Sequence, residues 1–597
     1  MFLKIEAALS VLALALAFTV PNFGSRWFES LERSFGKLAR RRGLSVVVVG
    51  LTALAVRLAL LPILPIPAPA AMDEFSYLLL SDTFARGRLA NPSSPMWPHL
   101  ESPLVLWQPT HVSVYHPAQG FFLAAGQVLL GHPYWGVWLS VGIMCAAITW
   151  MLQAWVGEGW ALLGGFLAVI RLGSFSYWAD SYWGGAVAAI GGAMVLGALP
   201  RIKQERRARH ALVMGVGFAI LANSRPYEGL FFGIPVAVAL LAWLWKLKRP
   251  ELGQALKRAV VPLLAVLVLT VAAMGYYFWR TTGNPLRPPY LLYGQQQGGV
   301  PPFAWQPLKP VRPFIYPAFE KLYKEFALAR YDLAQTPTGR AAIACFTLEQ
   351  FWSFYFGFVF LFPFLVAWMA TPYGFSLKDI KPGTRFLVLV CAVTLAGEAL
   401  PIWYNPHYSA ELACAILALV LTALRYIRGW EWRGRSAGRF ITRAVPAICV
   451  LLLATRMAAG PLKLHPTDLW PQSGLPTWCT TAPKNPRRAA VLRKLRQQPG
   501  RQLVIVRYSP DHDIYFNEWV YNRADLDSAK VIWAHDMGPK KNEELIHYFK
   551  DRRVWLVYAD DNPPKLEPYP VSRAASESGT PSAGTKTIEA FPSLKPR

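Results

Sequence analysis

The chain has 597 residues, 54% of them hydrophobic, with a mean hydropathy of +0.27 and a formal charge of +26. Such apolarity excludes an ordinary soluble globule and fits a polytopic membrane protein with water-exposed loops. The basic residues stand in short runs between apolar segments, so they read as loop charge that orients a membrane protein, not as a nucleic-acid surface.

In chain order, the apolar stretch "IEAALSVLALALAFTV" precedes the basic stretch "RSFGKLARRRG". Cleavage between them would leave the basic cluster outside, against the tendency of such loops to stay in the cytoplasm. An uncleaved anchor with its N-terminus out is therefore expected, and residues 1–43 read as that anchor plus a basic cytoplasmic loop. Apolar runs near the ~20 residues that cross a bilayer predict spans at 3–20, 44–63, 133–153, 160–177, 184–199, 211–224, 228–245, 259–279, 350–370, 385–402, 409–426 and 444–460. With these alternating, the loop 26–43, "PRIKQERRARH", "KLKRPELGQALKR", "SLKDIKPGTR" and "RYIRGWEWRGRSAGRFITR" all fall on one side. The stretch "HPAQGFFLAAGQVLLGH" is apolar but short, and counting it as a span breaks this agreement. It is expected to lie along the outer surface or to re-enter it.

The membrane domain thus covers 44–460, with two long outer loops at 64–132 and 280–349. Beyond it, "QLVIVRY", "AKVIWAHD" and "VWLVYADD" read as strands and "NEELIHYFKD" as an amphipathic helix. Residues 461–569 are expected to form a small α/β domain outside the membrane, and 570–597 a disordered tail. The fold class expected is an all-α polytopic bundle of about twelve spans, with surface helices in the first loop and a small soluble α/β domain. Four cysteines lie in apolar segments. Cys345 and Cys479 lie outside them, as a disulfide or as two free thiols.

Charges are costly at membrane depth, so those kept near span ends need a reason. Asp73 and Glu74 follow the second span, which carries Arg57 in its outer half. Arg171 and Asp180 mark the end of 160–177. Arg225 and Glu228 flank "NSRPYEG", and Glu398, His407 and Glu411 surround "LPIWYNPHYSAE". Each alone reads as snorkelling or a structural ion pair. Their shared side points to a polar chamber at the outer face. Transfer of a sugar from a polyprenyl phosphate would use such a chamber. A carboxylate takes the acceptor's proton, and a guanidinium holds the departing phosphate. Asp73 and Glu74 sit in the first turn of a helix running to about Phe84, where the helix dipole favours their ionised form.

"MDEFSYLLLSDTFARG" resembles the first outer loop of the GT-C glycosyltransferases. It is most similar to the Rgt-like, protein O-mannosyltransferase and aminoarabinose-transferase branch, in which an Asp-Glu pair and an aromatic open that loop. Asp73, Glu74 and Tyr77 match this element. "YHPAQG" (His116, Pro117) resembles the motif that starts a surface helix. Asp180 of "RLGSFSYWADSYWGGAVAAIGG" takes the place of an acidic residue after a span. Arg225 of "ANSRPYEGLFFGIP" stands where the family has Lys, and "NPHYSAELACAILAL" resembles the entrance to a late span. Two departures stand out: Tyr115 replaces an acidic residue, and Ala118 a second proline.

The resemblance covers about 44–430. It implies a lipid-phosphate sugar donor, a glycan, lipid or protein acceptor, and inverting direct transfer at the outer face of a bacterial inner membrane, with the C-terminal domain periplasmic. No nucleic-acid partner is implied. The roles expected on it are Asp73 as base and Glu74 as the alternative base or as acceptor for a sugar hydroxyl. Arg225, with Arg57 or Arg171, holds the phosphate, and Asp180 orients Arg225 or the acceptor. Tyr77, Glu228 and His407 join the substrate site. His116 with Asp73 and Asp180 has the donor types for a divalent metal, but a helix-start histidine packed beside Pro117 explains it more simply. "PDHD" reads as a solvated turn, and "WGGAVAAIGGAMVLGA" as a helix-packing face. The rival readings are a transporter or flippase of a lipid-linked or anionic substrate, a lipid-linked glycan polymerase or ligase, and a scaffold.

Overall fold

The computed structural model describes residues 1–371, 380–460 and 475–570. The expected tail and part of "SLKDIKPGTR" lie outside the described residues. Every expected span is helical. Among the described residues, nine helices are long and apolar enough to cross a membrane, including Phe2–Thr19, Arg42–Ala59, Gly185–Glu205 and Pro406–Ile427. The other three, Glu158–Arg171, Ala208–Ala222 and Pro382–Glu398, have 14, 15 and 17 residues, short of the ~20 needed for a straight crossing. The architecture is a polytopic helical bundle carrying a small α/β unit.

Side-chain size dictates the centre of the bundle. In Gly185–Glu205, a Cβ on Gly192 would come within 2.2 Å of the Glu411 carbonyl oxygen, and one on Gly197 within 2.3 Å of the Trp150 ring. Glycine there lets helices approach closely enough for dispersion contacts to replace a hydrophobic drive that lipid does not supply. The outward faces, such as Val268, Leu269 and Val271, remain exposed to the surroundings, as lipid-facing positions should.

The first long loop supplies two 14-residue helices, Met72–Ala85 and Pro117–Leu130, a single helical turn at Trp97–Leu100, and a short antiparallel hairpin, β1 (Val105–Leu106) and β2 (Val112–Ser113). Pro117 at the first helical position has no N–H to leave unsatisfied, and the helix ends on Gly131 at φ 77°, which glycine adopts freely. At 14 residues, this is the short apolar helix expected from "HPAQGFFLAAGQVLLGH".

The C-terminal sheet has four strands in the order β4-β3-β5-β6. β3 (Arg501–Arg507), β4 (Val531–His535) and β5 (Arg552–Tyr558) run parallel, and β6 (Lys565–Pro568) is antiparallel on the edge. The central strand buries five consecutive residues, as a strand covered on both faces must. The sheet unit is anchored to the first loop by Asp82. Its carboxylate accepts from Arg523 Nη2 (2.9 Å), the Ala524 amide (3.0 Å) and Gln127 Nε2 (3.0 Å). The lead-in to the unit is itself buried in the bundle, with Trp478 Nε1 donating to Glu6 (2.7 Å). Cys345 is exposed and Cys479 buried.

Candidate functional site

The helix Met72–Ala85 begins where the chain leaves Arg42–Ala59. Glu74, at its third position, folds back so that Oε2 accepts from the Ala71 and Ala70 amides (3.3 and 2.9 Å). It thereby satisfies donors the helix start leaves open. Its Oε1 accepts from the Tyr182 amide (3.2 Å). Glu74 is fully buried, and burial pushes its carboxyl up to about 7 despite these three donors. It ties two outer segments together.

Asp73 points the other way. It is half-buried, and its Oδ1 accepts from the Tyr115 hydroxyl. Burial raises the Asp73 carboxyl above the ordinary range, while the Tyr115 hydrogen bond and the charge of Arg225 pull it down. Tyr115 stacks on Tyr77 with centroids 4.3 Å apart and planes 9° from parallel. The hairpin delivers Tyr115 to this point, because Ser76 Oγ bonds both the Leu104 carbonyl (2.6 Å) and Ser113 Oγ (2.7 Å).

Arg225 caps the helix Pro226–Trp245, whose first turn carries Glu228. The Ala118 amide donates to the Asn223 carbonyl (2.9 Å), which fixes this turn against the start of the second surface helix. The guanidinium lies over the Tyr408 ring at 4.3 Å. Among the described residues no carboxylate or carbonyl engages it by hydrogen bond or ion pair. A half-buried guanidinium with open donors beside a carboxylate is a ready receptor for a second anion.

His116 lies within the same field. Burial, and then Arg225, push it down to about 4, so it is neutral near pH 7. His407 bonds the Tyr177 hydroxyl through Nδ1 (3.0 Å) and packs edge-on against Tyr408. Glu228, Glu398 and Glu411 are buried within electrostatic reach of Arg225 and of one another. The structure therefore brings Asp73, Tyr77, His116, Arg225, Glu228 and His407 to one end of the bundle.

Three expected residues go elsewhere. Arg171 pairs with Glu6 (2.6 Å) and donates to the Phe356 carbonyl (3.0 Å). Its charge is spent on a carboxylate of the first helix and does not face Asp73. Arg57 and Asp180 face each other at 3.5 Å, and Asp180 also meets Lys484 (3.0 Å) from the lead-in to the C-terminal unit. Asp180 thus orients Arg57, not Arg225. It is also held away from His116 and Asp73, so these three do not form a common ligand set. Among the described residues no group of three or more His, Cys, Asp or Glu side chains is placed to hold a metal ion.

The sequence reading missed Tyr408, Tyr290 and Tyr515, all of which act on Asp73 or its surroundings. Tyr290 comes from the second outer loop. Tyr515 comes from the C-terminal unit, where its carbonyl also accepts from the Met72 amide (3.2 Å). In the sequence Tyr115 stands out only as a departure from the family's motif. Its place beside "HPAQG", at the start of a surface helix two strands after Asp73, was the available signal.

No protein-family description matches the chain, and no curated protein does. Among solved structures, the chain is similar to an oligosaccharyltransferase of Archaeoglobus fulgidus tethered to an acceptor peptide. The identity is 11%, with 86% of this chain and 68% of that one covered, at a TM-score of 0.47. It is also similar to ArnT from Cupriavidus metallidurans, at 11% identity over 90% of this chain and 93% of that one, with a TM-score of 0.45.

Proposed function

We propose that this protein is a membrane glycosyltransferase that moves a sugar from a polyprenyl-phosphate donor to an acceptor hydroxyl at the outer face, with inversion. The observation that carries the reading is that Asp73 lies within the electrostatic field of Arg225. Burial has raised the proton affinity of the carboxylate, and the guanidinium keeps open donors over Tyr408. The ordered motifs that resemble GT-C enzymes support the same reaction.

In this reading the acceptor oxygen attacks the anomeric carbon while Asp73 takes its proton. The bond from that carbon to the phosphate oxygen breaks, and the electron pair leaves with the lipid phosphate. Arg225 holds the charge that grows there, with a planar fork suited to phosphate oxygens. Tyr115 keeps Asp73 aimed and partly stabilises its ionised form. Displacement in one step, without a covalent enzyme intermediate, inverts the centre. The crowding of charge at one end of the bundle, rather than midway along it, favours transfer at a surface over passage through the membrane.

The test is native mass spectrometry of protein purified in mild detergent. Wild-type protein should carry a mass matching a polyprenyl-phosphate sugar, and Arg225→Ala protein should carry at least tenfold less. Equal recovery from both, or a bound lipid without phosphate, tells against the assignment.

A further inference from the structure

A cavity of about 230 Å³ opens between the two outer loops, and Asp73 is not in its wall. Trp97, Glu101 and Trp107 come from the first loop, and Gln296, Gln297 and Arg312 from the second. None of these residues serves the transfer chemistry described above.

The wall is built to receive a ligand. Glu101 is 2% exposed and Trp107 5%, yet Glu101 Oε2 and Trp107 Nε1 have no hydrogen-bond partner among the described residues. Buried polar atoms left this way are costly, so the wall keeps unmet donor and acceptor capacity beside the cavity. The carboxylate is already aimed, because its Oε1 accepts from Gln297 Nε2 (3.0 Å) and from Arg312. Trp107 is held flat against His111, with centroids 3.8 Å apart and planes 5° from parallel. Arg312 covers Trp97 at 5.3 Å. The aromatic surfaces are thus fixed before any ligand arrives, which lowers the ordering cost of binding.

The chemistry selects the ligand class. Glu101 repels a phosphate, and Arg312 repels a cation. An indole offers an apolar face, while amide and carboxylate groups offer donors and acceptors together. A neutral sugar ring presents the complement: an apolar C–H face and hydroxyls that both donate and accept. The cavity is smaller than the ~300–1,000 Å³ of sites for drug-sized ligands, which suits a single ring.

Its position relates it to Asp73. The helix Pro289–Gln296 carries Tyr290, within the electrostatic field of Asp73, near one end and Gln296 at the other. Six residues of helix span about 9 Å. The Tyr293 hydroxyl, between them, bonds the Leu104 amide (3.2 Å) and fixes this helix to the first loop.

We propose that this cavity binds one neutral sugar residue of a glycan acceptor, a short stretch of chain from the hydroxyl presented to Asp73. The proposal rests on the transferase reading and narrows its acceptor to a glycan. It is tested with full-length protein in lipid nanodiscs by saturation-transfer NMR, using methyl β-glucoside, methyl β-galactoside and methyl α-mannoside as probes.

At least one glycoside should bind wild-type and Asp73→Asn protein alike. Its affinity should fall at least tenfold in Trp107→Phe, which removes the N–H and one ring of the indole wall, and in Gln297→Ala, with unfolding temperatures monitored for both. No binding to wild type, or binding that both substitutions leave intact, overturns the subsite, while the transferase reading stands on turnover alone. If binding behaves as expected but no polyprenyl-phosphate sugar supports turnover, the transferase reading falls and the acceptor assignment falls with it.

Discussion

Replacing Tyr115 by Phe removes one hydroxyl and keeps the ring that stacks on Tyr77 at 4.3 Å. What is lost is the hydrogen bond to Asp73 Oδ1, a contact to a charged group of about 1.5–3 kcal/mol. That bond favours the ionised carboxylate, opposing the upward push of burial. Without it the carboxyl binds its proton more tightly. A base must be ionised to act, so the acid limb of kcat/KM moves to higher pH. On that limb the rate falls roughly ten- to hundredfold, while the plateau at high pH changes little. The assay is sugar transfer in proteoliposomes across pH 4.5–9 for wild-type and Tyr115→Phe protein. An acid limb that stays in place, with activity lowered equally at every pH, would show that Asp73 is not the ionising base and that Tyr115 only packs.

Arg225→Ala should weaken donor binding by about 1.5–3 kcal/mol, read as a raised KM for the lipid donor, and Arg225→Lys should restore part of it because charge returns without the fork. Glu74 has its carboxyl raised from 4.5 to about 7. The folded protein therefore holds a proton the unfolded chain has released, and the stability this gives is lost as pH rises from 4.5 through about 7. Glu74→Gln should flatten that slope in thermal unfolding while transfer persists. Asp82→Ala removes the acceptor of two donors, Arg523 and the Ala524 amide, that join the C-terminal unit to the first loop. Limited proteolysis within residues 486–570 should then speed up, whereas unchanged cleavage would mean the other contacts suffice to hold the unit.

The bundle was legible because membrane helices write their length in apolar residues, and every run read as a span is a helix. The short apolar helix Pro117–Leu130 was legible for the same reason. Charge partners were not. Arg171 finds Glu6 at 165 positions' separation, and Lys484 reaches Asp180 from the lead-in to the C-terminal unit. No periodicity encodes either meeting. Strand β6 was missed because "KLEP" is short, carries a proline and lies on the sheet edge, where few sequence demands apply. At the site, Asp73 and Arg225 could be picked out by their positions at the ends of apolar runs. The tyrosines around them could not, since aromatic residues are common at any membrane rim.

The most direct measurement compares wild-type and Asp73→Asn protein in proteoliposomes, following radiolabelled sugar from polyprenyl phosphate to an acceptor while the bound donor is quantified by mass. The account predicts transfer by wild type and a loss of about 10²–10⁴-fold in Asp73→Asn, with donor still bound through Arg225. Transfer by Asp73→Asn at the wild-type rate would contradict it.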